Sequence, residues 1–426
     1  MNVFIQTFGC SLNYSDGELM AGLLQEAGHE IVQDLKDTDI LIINSCTVKN
    51  EAEAKLWRWI KNNPDKKIVA AGCVAQAQPS LLKDRLKNIS VIGTNNINDI
   101  IEAVQATSEG KLFQSIKTKK YPRLNLPHIR KNPIVEIIPI NKGCLDSCTY
   151  CLTKRARGHL QSYPVKDIKK QCETAISEGC KEIWLTSQDT GCYGLDINSN
   201  IIELLKELLG LRGFFRIRLG MMNPNYALQF LEELKEIFKH PKIFKFLHIP
   251  VQSGSNKVLR DMKRRYKVEA YKRVVEEIRQ AIPNITISTD IIVAYPTETK
   301  EEFKETYNLI KETKPEVLNL SRFWARPSTP AAKLKQITGT ESKVRSKKIN
   351  DLFRKIQLES QQKWIGWEGE VLIDEVGTKN SMIGRNDYYK QVVFRNSKLK
   401  IGERRKVKIL YAKQYDLRPS NLNNHA

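Results

Sequence analysis

Three cysteines, Cys144, Cys148 and Cys151, fall within eight residues at C-x3-C-x2-C spacing, just past an apolar run from Ile134 to Ile140 that reads as a strand. Thiolates are soft ligands, and one short loop can turn three of them toward a single centre. The ligand count carries the information. A structural zinc site or a fully protein-held cubane takes four protein ligands. Three cysteines on a [4Fe–4S] cluster leave one iron open, and an open iron can bind a substrate. The alternative is a zinc knuckle completed by His159 or Cys172. The iron–sulfur reading is favoured.

A second trio is scattered. Cys10, Cys46 and Cys73 each follow an apolar run, Val3–Phe8, Ile40–Asn44 and Ile68–Ala71, in the phrases Phe8-Gly9-Cys10, Asn44-Ser45-Cys46 and Ala71-Gly72-Cys73. Helical stretches alternate with these runs at Ser15–Ala27, Glu51–Lys61 and Pro79–Leu86. Such alternation implies βαβ units and a parallel sheet, whose carboxyl ends share the edge where ligands bind. Three strands would then deliver three thiols to one edge. Taken singly, each cysteine reads as an ordinary half-buried thiol. Taken together, with a glycine or serine before each, they read as a second cluster site.

The chain of 426 residues is long enough for two to four domains. Between Lys111 and Pro133, seven cations occur without an acid among three prolines, which suits an extended linker able to touch a phosphate backbone. From Ile134 to about Lys335, strands at 182–186, 216–220, 245–250, 286–293 and 317–321 alternate with helices at 164–178, 201–209, 227–238, 267–281 and 300–313. With the strand before Cys144, six βα repeats close into a full or partial TIM-like barrel, with its active site at the carboxyl ends of the strands. Gln188 and Asp189, Gln252 and Ser253, and Tyr295 and Pro296 then sit on loops at that mouth and can hold a nucleotide-like cofactor. His248 reads as a hydrogen-bonded structural residue.

After a charged segment from Lys343 to Lys355, short strands at 370–375, 391–395 and 404–411 fit a five-stranded barrel of the oligonucleotide-binding type. Cations exceed acids by six from residue 361 onward. Arg385, Tyr388, Tyr389, Arg404, Arg405 and Lys406 are the expected RNA contacts, because stacking on an exposed tyrosine contributes about 1–3 kcal/mol per base. The alternative for each tyrosine is the barrel's own core. A formal net charge of +21 points to a polyanionic partner, nucleic acid before membrane. Nine cysteines are too few for a disulfide framework at this length and suit a reducing cytoplasm. With no run of eighteen apolar residues and a strand at the start, the chain is expected to be soluble, without signal peptide or membrane anchor.

The Cys144–Cys151 loop resembles that of the radical S-adenosylmethionine (SAM) enzymes. Along nearly the whole chain the motifs resemble the methylthiotransferases. These motifs are Thr7 to Asn13, Asn44 to Val48, Ala71 to Cys73, Cys144 to Cys151 with Arg157-Gly158, Pro250 to Ser255, and Arg326 to Ala331. Thr186 to Gly194, Gly220 to Asn225 and the phrase from Gly384 resemble the archaeal and eukaryotic branch that modifies threonylcarbamoyladenosine in tRNA. Two departures stand out. The family's G-F-P-G-E-T reads Ala294 to Thr299, with Ala294 and Thr297 at the glycines, and its R-P-G-T-P has Ser328 at the glycine. Both affect loop geometry where glycine permits close backbone approach.

The resemblance implies an α/β chain. A parallel α/β domain over 1–115 is joined by a basic linker, 116–133, to a partial (βα)6 radical-SAM barrel over 134–355, and a small antiparallel β-barrel, the TRAM domain, covers 361–424. It implies two [4Fe–4S] clusters, on Cys144, Cys148 and Cys151 and on Cys10, Cys46 and Cys73, and SAM as both methyl donor and radical source. Tyr150 would meet the adenine, and Gln188, Gln252 and Ser253 would touch SAM. No acid–base residue is assigned, because the unactivated C–H at carbon 2 of adenine offers acid–base chemistry little purchase. Expected partners are the tRNA anticodon stem-loop, a low-potential electron donor and a sulfur donor, for a monomer. Rival substrates are isopentenyl-adenosine tRNA or a ribosomal-protein aspartate. The rival of another class is a non-catalytic, zinc-bound RNA-binding protein.

Overall fold

The computed structural model describes residues 1–47, 50–78, 89–116 and 122–420. The helix expected at 79–86 lies outside them, as do Val48 and residues 421–424 of the C-terminal domain. Runs of β-branched residues build the first sheet, whose strands are β1 (Asn2–Phe8), β2 (Glu30–Ile31), β3 (Ile40–Ser45), β4 (Lys67–Gly72), β5 (Ser90–Gly93) and β6 (Gln114–Ser115). The order is β2-β1-β3-β4-β5-β6, with every pair parallel. Register then places the three thiols. Ser45 lies opposite both Phe8 and Gly72, so the chain leaves three adjacent strands at one level, just before Cys10, Cys46 and Cys73.

The central unit comprises β7 (Val135–Pro139), β8 (Asn141–Lys142), β9 (Gln161–Ser162), β10 (Glu182–Thr186), β11 (Arg216–Leu219), β12 (Phe246–His248), β13 (Thr286–Val293) and β14 (Val317–Arg322). Two parallel three-stranded sheets, β11-β10-β7 and β12-β13-β14, form the barrel wall. They meet through an isolated bridge between Ile217 and Ile243 and a hydrogen bond from Met222 N to His248 O (2.9 Å). Strands β7 and β14 remain as open edges among the described residues. Helices at 201–209 and 300–313 form as expected, each with a side-chain cap: Asn200 in the first, a Thr299–Glu302 capping box in the second. The single helix expected at 227–238 is two, Pro224–Gln229 and Leu231–Lys239, broken at Phe230. The charged segment 343–355 lies inside a 24-residue helix, Gly339–Gln362.

The C-terminal strands β15 (Glu368–Val376), β16 (Ser381–Arg385), β17 (Gln391–Arg395), β18 (Arg404–Ala412) and β19 (Leu417–Pro419) close into a barrel, antiparallel except for β17 with β19. It docks on the amino ends of the central strands. Lys245 N, before β12, donates to Asp387 O (2.7 Å), and Thr286 Oγ1, at the start of β13, donates to Tyr388 O (2.7 Å). Tyr389 packs edge-on against Phe244 (ring centroids 4.9 Å) between the guanidinium groups of Arg218 and Arg385.

Residues 122–133 form neither helix nor strand and are tied to the fold, although Pro122, Asn125, Pro127, Lys131 and Pro133 remain exposed. Arg123 pairs with buried Asp16 and donates to Thr94 O (2.7 Å). Arg130 pairs with Glu136 and Glu178, and Ile129 N donates to Glu18 O. The acids missing from this stretch come from elsewhere in the fold, so its cations tie domains together. The strap crosses the helix Ser11–Glu26 so closely that a Cβ on Gly22 would lie 2.2 Å from Pro127 O. Asp16 also meets Arg157 at 2.7 Å, making a buried Arg–Asp–Arg bridge. Removing one partner of such a bridge costs about 3–5 kcal/mol. Asp16→Asn is therefore expected to lower the midpoint of thermal unfolding by several degrees, the N-terminal domain losing structure first by hydrogen exchange.

Candidate functional site

The scattered trio converges. The backbone turns sharply after each strand; a Cβ on Gly9 would lie 2.8 Å from Cys46 Cβ, and one on Gly72 (φ +94°) 2.3 Å from Asn44 Oδ1. Cys10 then opens the helix Ser11–Glu26, and Cys73 opens a short helix, Cys73–Ala77. The Cys46 thiol hydrogen-bonds with the sulfurs of both Cys10 and Cys73, which pulls those two below the ordinary thiol pKa and drives Cys46 well above it. The Arg157 guanidinium lowers Cys10 and Cys73 further. Asn13 spans the group: it accepts from Cys10 Sγ (3.3 Å) and reaches Cys73 Sγ (3.9 Å).

The compact trio is framed by backbone and one arginine. Cys144 N donates to Gly158 O (3.3 Å), Cys151 N to Cys148 O (3.1 Å), and Thr153 N to Cys151 Sγ (3.3 Å). Gly143, at φ +76°, has no room for a side chain, since a Cβ would lie 1.9 Å from His159 O. Arg264 donates to Cys148 Sγ (3.0 Å), to Tyr266 OH (2.9 Å) and to Asn223 Oδ1. Burial pushes the Cys144 thiol up to about 12 and raises Cys148 as well, so these thiols give up protons only to something that replaces them. Cys172, a possible fourth ligand for zinc, is buried in the core of the central unit. Among the described residues, no three His, Cys, Asp or Glu side chains are disposed around one point as a single bound ion requires.

The two trios lie on one side of the molecule, joined by short contacts. The helix Thr153–Arg157, directly after Cys151, packs Ala156 against Cys73 and Ala77, and Thr94 Oγ1 donates to Ala156 O. Its last residue, Arg157, is the guanidinium beside Cys73 and Cys10. Ser11, next to Cys10, meets Thr186 at the end of β10 (2.6 Å).

Around the compact trio the predicted residues divide. Gln188 Oε1 is buried without a hydrogen-bond partner, and Tyr150 lies half-buried against Val258 and Tyr295. Gln252 holds a left-handed backbone (φ +69°) at the mouth. Three others are turned inward. The Asp189 carboxylate accepts from Gly191 N (3.0 Å) and Asn223 Nδ2 (2.7 Å), and burial raises its pKa to about 7. Ser253 Oγ bonds Thr306 Oγ1 and Ser255 N. Tyr295 OH meets Thr149 Oγ1 (2.8 Å), supporting the cysteine loop from beneath, while the adjacent Pro296 is half-buried. Arg264 and Asn223 were missed by sequence reading; the signal was the run Arg264-Arg265-Tyr266 and the phrase Gly220 to Asn225. His248 rests on Asp290 (3.0 Å), and Cys192 is buried with its thiol donating to Asp189 O.

Two of the three glycine replacements keep glycine's backbone, Ala294 at φ +60° and Ser328 at φ +64°, whereas Thr297 is not left-handed. An L-residue in this region costs about 1–2 kcal/mol. Ala294→Gly and Ser328→Gly are expected to be neutral or to stabilise by up to about 1 kcal/mol in chemical unfolding. Ala294→Val is expected to be strongly destabilising.

On the small barrel, the expected RNA residues also divide. Arg385 pairs with Asp374 (2.5 Å) and Glu375 (3.0 Å), Tyr389 fills the seam, and Tyr388 packs on Trp364. These three contribute to the seam and are half-buried there. Their mixture of cation and ring suits a buried stacking network as well as an RNA surface. Arg404, Arg405 and Lys406 are exposed on β18. Arg405 lines a concavity of about 730 Å³ with Arg395, Lys398, Lys400, Lys413 and Tyr411, the last 53% exposed. A second concavity, about 450 Å³, holds Arg322, Lys343, Lys347 and Arg354 beside the open edge β14.

Residues 138–310 match the radical SAM superfamily, residues 2–93 an uncharacterized protein family (UPF0004), and residues 362–419 the TRAM domain. A curated relative from Homo sapiens, a threonylcarbamoyladenosine tRNA methylthiotransferase, is 44% identical over 403 residues, covering 92% of this chain and 69% of its own. A probable threonylcarbamoyladenosine tRNA methylthiotransferase from Pyrococcus abyssi is 42% identical, covering 92% and 93%. In fold, the chain is similar to the radical S-adenosylmethionine methyltransferase TsrM from Kitasatospora setae (TM-score 0.57, 14% identity, 78% and 75% covered).

Proposed function

This chain belongs to the threonylcarbamoyladenosine tRNA methylthiotransferases, and on that premise we propose how its own residues carry out the reaction. The protein adds a methylthio group to carbon 2 of threonylcarbamoyladenosine in tRNA. Its cofactors are SAM and two [4Fe–4S] clusters. When bound, these supply the sulfur and methyl group on one side and a hydrogen-abstracting radical on the other. The single observation that carries the reading is the convergence of two separate cysteine trios on one side of the molecule, linked through Arg157 and the helix that ends with it.

Cys144, Cys148 and Cys151 hold one cluster; Cys10, Cys46 and Cys73 hold the other. Arg264 anchors Cys148 and, through Asn223, the loop carrying Asp189. Gln188 offers SAM its unpartnered amide oxygen, Gln252 offers a second amide, and Tyr150 offers a ring face. Asp189, Ser253 and Tyr295 shape the mouth, and Pro296 borders it. The tRNA anticodon stem-loop is the part presented, because the reacting base must reach both trios at once. Arg404, Arg405 and Lys406 grip phosphates from the exposed face of β18. The basic concavity beside β14 offers a further phosphate-binding surface. A sulfur donor and a low-potential electron donor complete the set, for a monomer working in the cytoplasm. Among the described residues no helix is long and apolar enough to cross a membrane. The domains divide at about 115 and 133 and, because the helix Gly339–Gln362 runs unbroken through residue 355, after Gln362, the strap 122–133 serving the N-terminal and central units alike.

Anaerobic reconstitution is expected to load about eight irons per chain. Ala at any one of Cys144, Cys148 and Cys151 should leave about four, and so should Ala at Cys10, Cys46 or Cys73, with distinct electron paramagnetic resonance signals for the two sets. A colourless protein that binds zinc would overturn the assignment. Neutralising Arg404, Arg405 and Lys406 together should weaken tRNA binding and reduce the salt slope by up to about 0.7–0.9 per lost phosphate contact. Arg385→Ala should instead lower thermal stability.

A further inference from the structure

An exposed tryptophan stands where the two trios meet. Trp324, 58% exposed, follows β14 on the loop at the carboxyl end of that strand. Pairing runs one residue past the strand, Phe323 N donating to Val293 O (2.8 Å), so side chains here alternate between two faces. Phe323 turns inward and packs edge-on against Tyr295 (ring centroids 5.4 Å), the ring that supports Thr149 of the cysteine loop. Arg326 is buried, tied to Glu53 (3.2 Å) on the helix Asn50–Asn62 that follows Cys46. Arg322 and Trp324 are left exposed on the outer face.

Arg322 lines the concavity of about 450 Å³ together with Lys343, Lys347 and Arg354. On the helix Gly339–Gln362 these last three recur with Asn350 at i, i+4, i+7 and i+11, which is one helix face. All four cations are exposed, and among the described residues none of them forms an ion pair, although Asp351 lines the same concavity. On β18, by contrast, Arg404 and Arg405 are each paired, with Glu370 and Glu403.

A lone exposed aromatic side chain signifies little. Here the indole stands at the end of a row of unpaired cations, the arrangement that suits single-stranded nucleic acid: bases stack on rings while the backbone follows the charge. We propose that Trp324 stacks on a nucleotide of the anticodon loop beside the reacting adenosine, and that the loop's phosphates follow Arg322 and the cationic helix face away from the mouth. The inference rests on the function proposed above. Bringing the reacting base to both trios unstacks it from its neighbour, and a ring that receives the neighbour recovers part of that cost. An acidic protein would meet the cations but would give the indole no flat partner.

The test is binding of anticodon stem-loop RNA carrying threonylcarbamoyladenosine to the anaerobically reconstituted protein, with a stem-only duplex as control. Trp324→Ala should weaken stem-loop binding by roughly tenfold while leaving duplex binding and the salt slope unchanged. Its thermal midpoint should also hold, since the side chain is exposed. Trp324→Phe, which keeps a ring, should retain most of the affinity. Lys343→Ala with Lys347→Ala should instead reduce the salt slope, by up to about 0.7 per lost contact. Stem-loop binding that is unchanged in Trp324→Ala, or that falls equally for the duplex, would overturn the inference and leave the proposed function standing. RNA binding untouched by every variant, with slower reduction by an acidic flavoprotein, would assign the surface to the electron donor and likewise overturn it. Wild type that neither binds nor methylthiolates the modified stem-loop would overturn the proposed function, and this inference with it.

Discussion

The rest of the structure depends on holding two sets of cysteine thiols at a fixed distance when each set belongs to a different domain. Neither sheet can do this alone, because each presents its carboxyl edge without reference to the other. The Asp16 carboxylate, buried between Arg123 of the strap and Arg157 of the cysteine-loop helix, supplies the reference. A buried carboxylate with two guanidinium partners tolerates little displacement, since any slippage exposes charge to a low-dielectric interior. The same Arg157 lies against the sulfurs of Cys10 and Cys73, so the domain tie and the electrostatics of the scattered trio are one arrangement.

A second consequence concerns the small barrel. Its contacts are with the amino ends of β11, β12 and β13, the end of the central barrel opposite the cysteines. Packing Arg385, Tyr388 and Tyr389 into the seam fixes that orientation and leaves the Arg404, Arg405 and Lys406 side chains of β18 exposed. The proposed RNA grip would thereby be set at a distance from the chemistry. This suits a substrate that is itself a rigid stem with one reactive base at its end.

Some of the left-handed, non-glycine backbone lies around the compact trio. Gln252, Ala294 and Ser328 all hold left-handed conformations that glycine would take without cost. Each lies on a loop at the carboxyl end of a strand or touching the cysteine loop, where the backbone must come close to a bound group. The surrounding hydrogen bonds, such as Ala294 N to the Glu298 carboxylate (2.7 Å), over-determine the turn, so it survives the loss of its glycine.

Much of this was legible in the residues. Alternating apolar runs and helical stretches gave the parallel sheets, because period and length differ between strand and helix. The spacing of Cys144, Cys148 and Cys151 marked a shared centre, because so short a loop can face only one. Strand-end placement of Cys10, Cys46 and Cys73 suggested a common edge, but only the pairing register, Phe8 with Ser45 and Ser45 with Gly72, put them at one level. Composition could not tell a solvated linker from a strap, since the acids that pair with Arg123 and Arg130 are Asp16, Glu136 and Glu178. Nor could it tell a stacking tyrosine from a packing one. Local pattern is written by neighbours in sequence; charge partners and buried faces are chosen by residues far apart in the chain, and those are settled only when the domains close on one another.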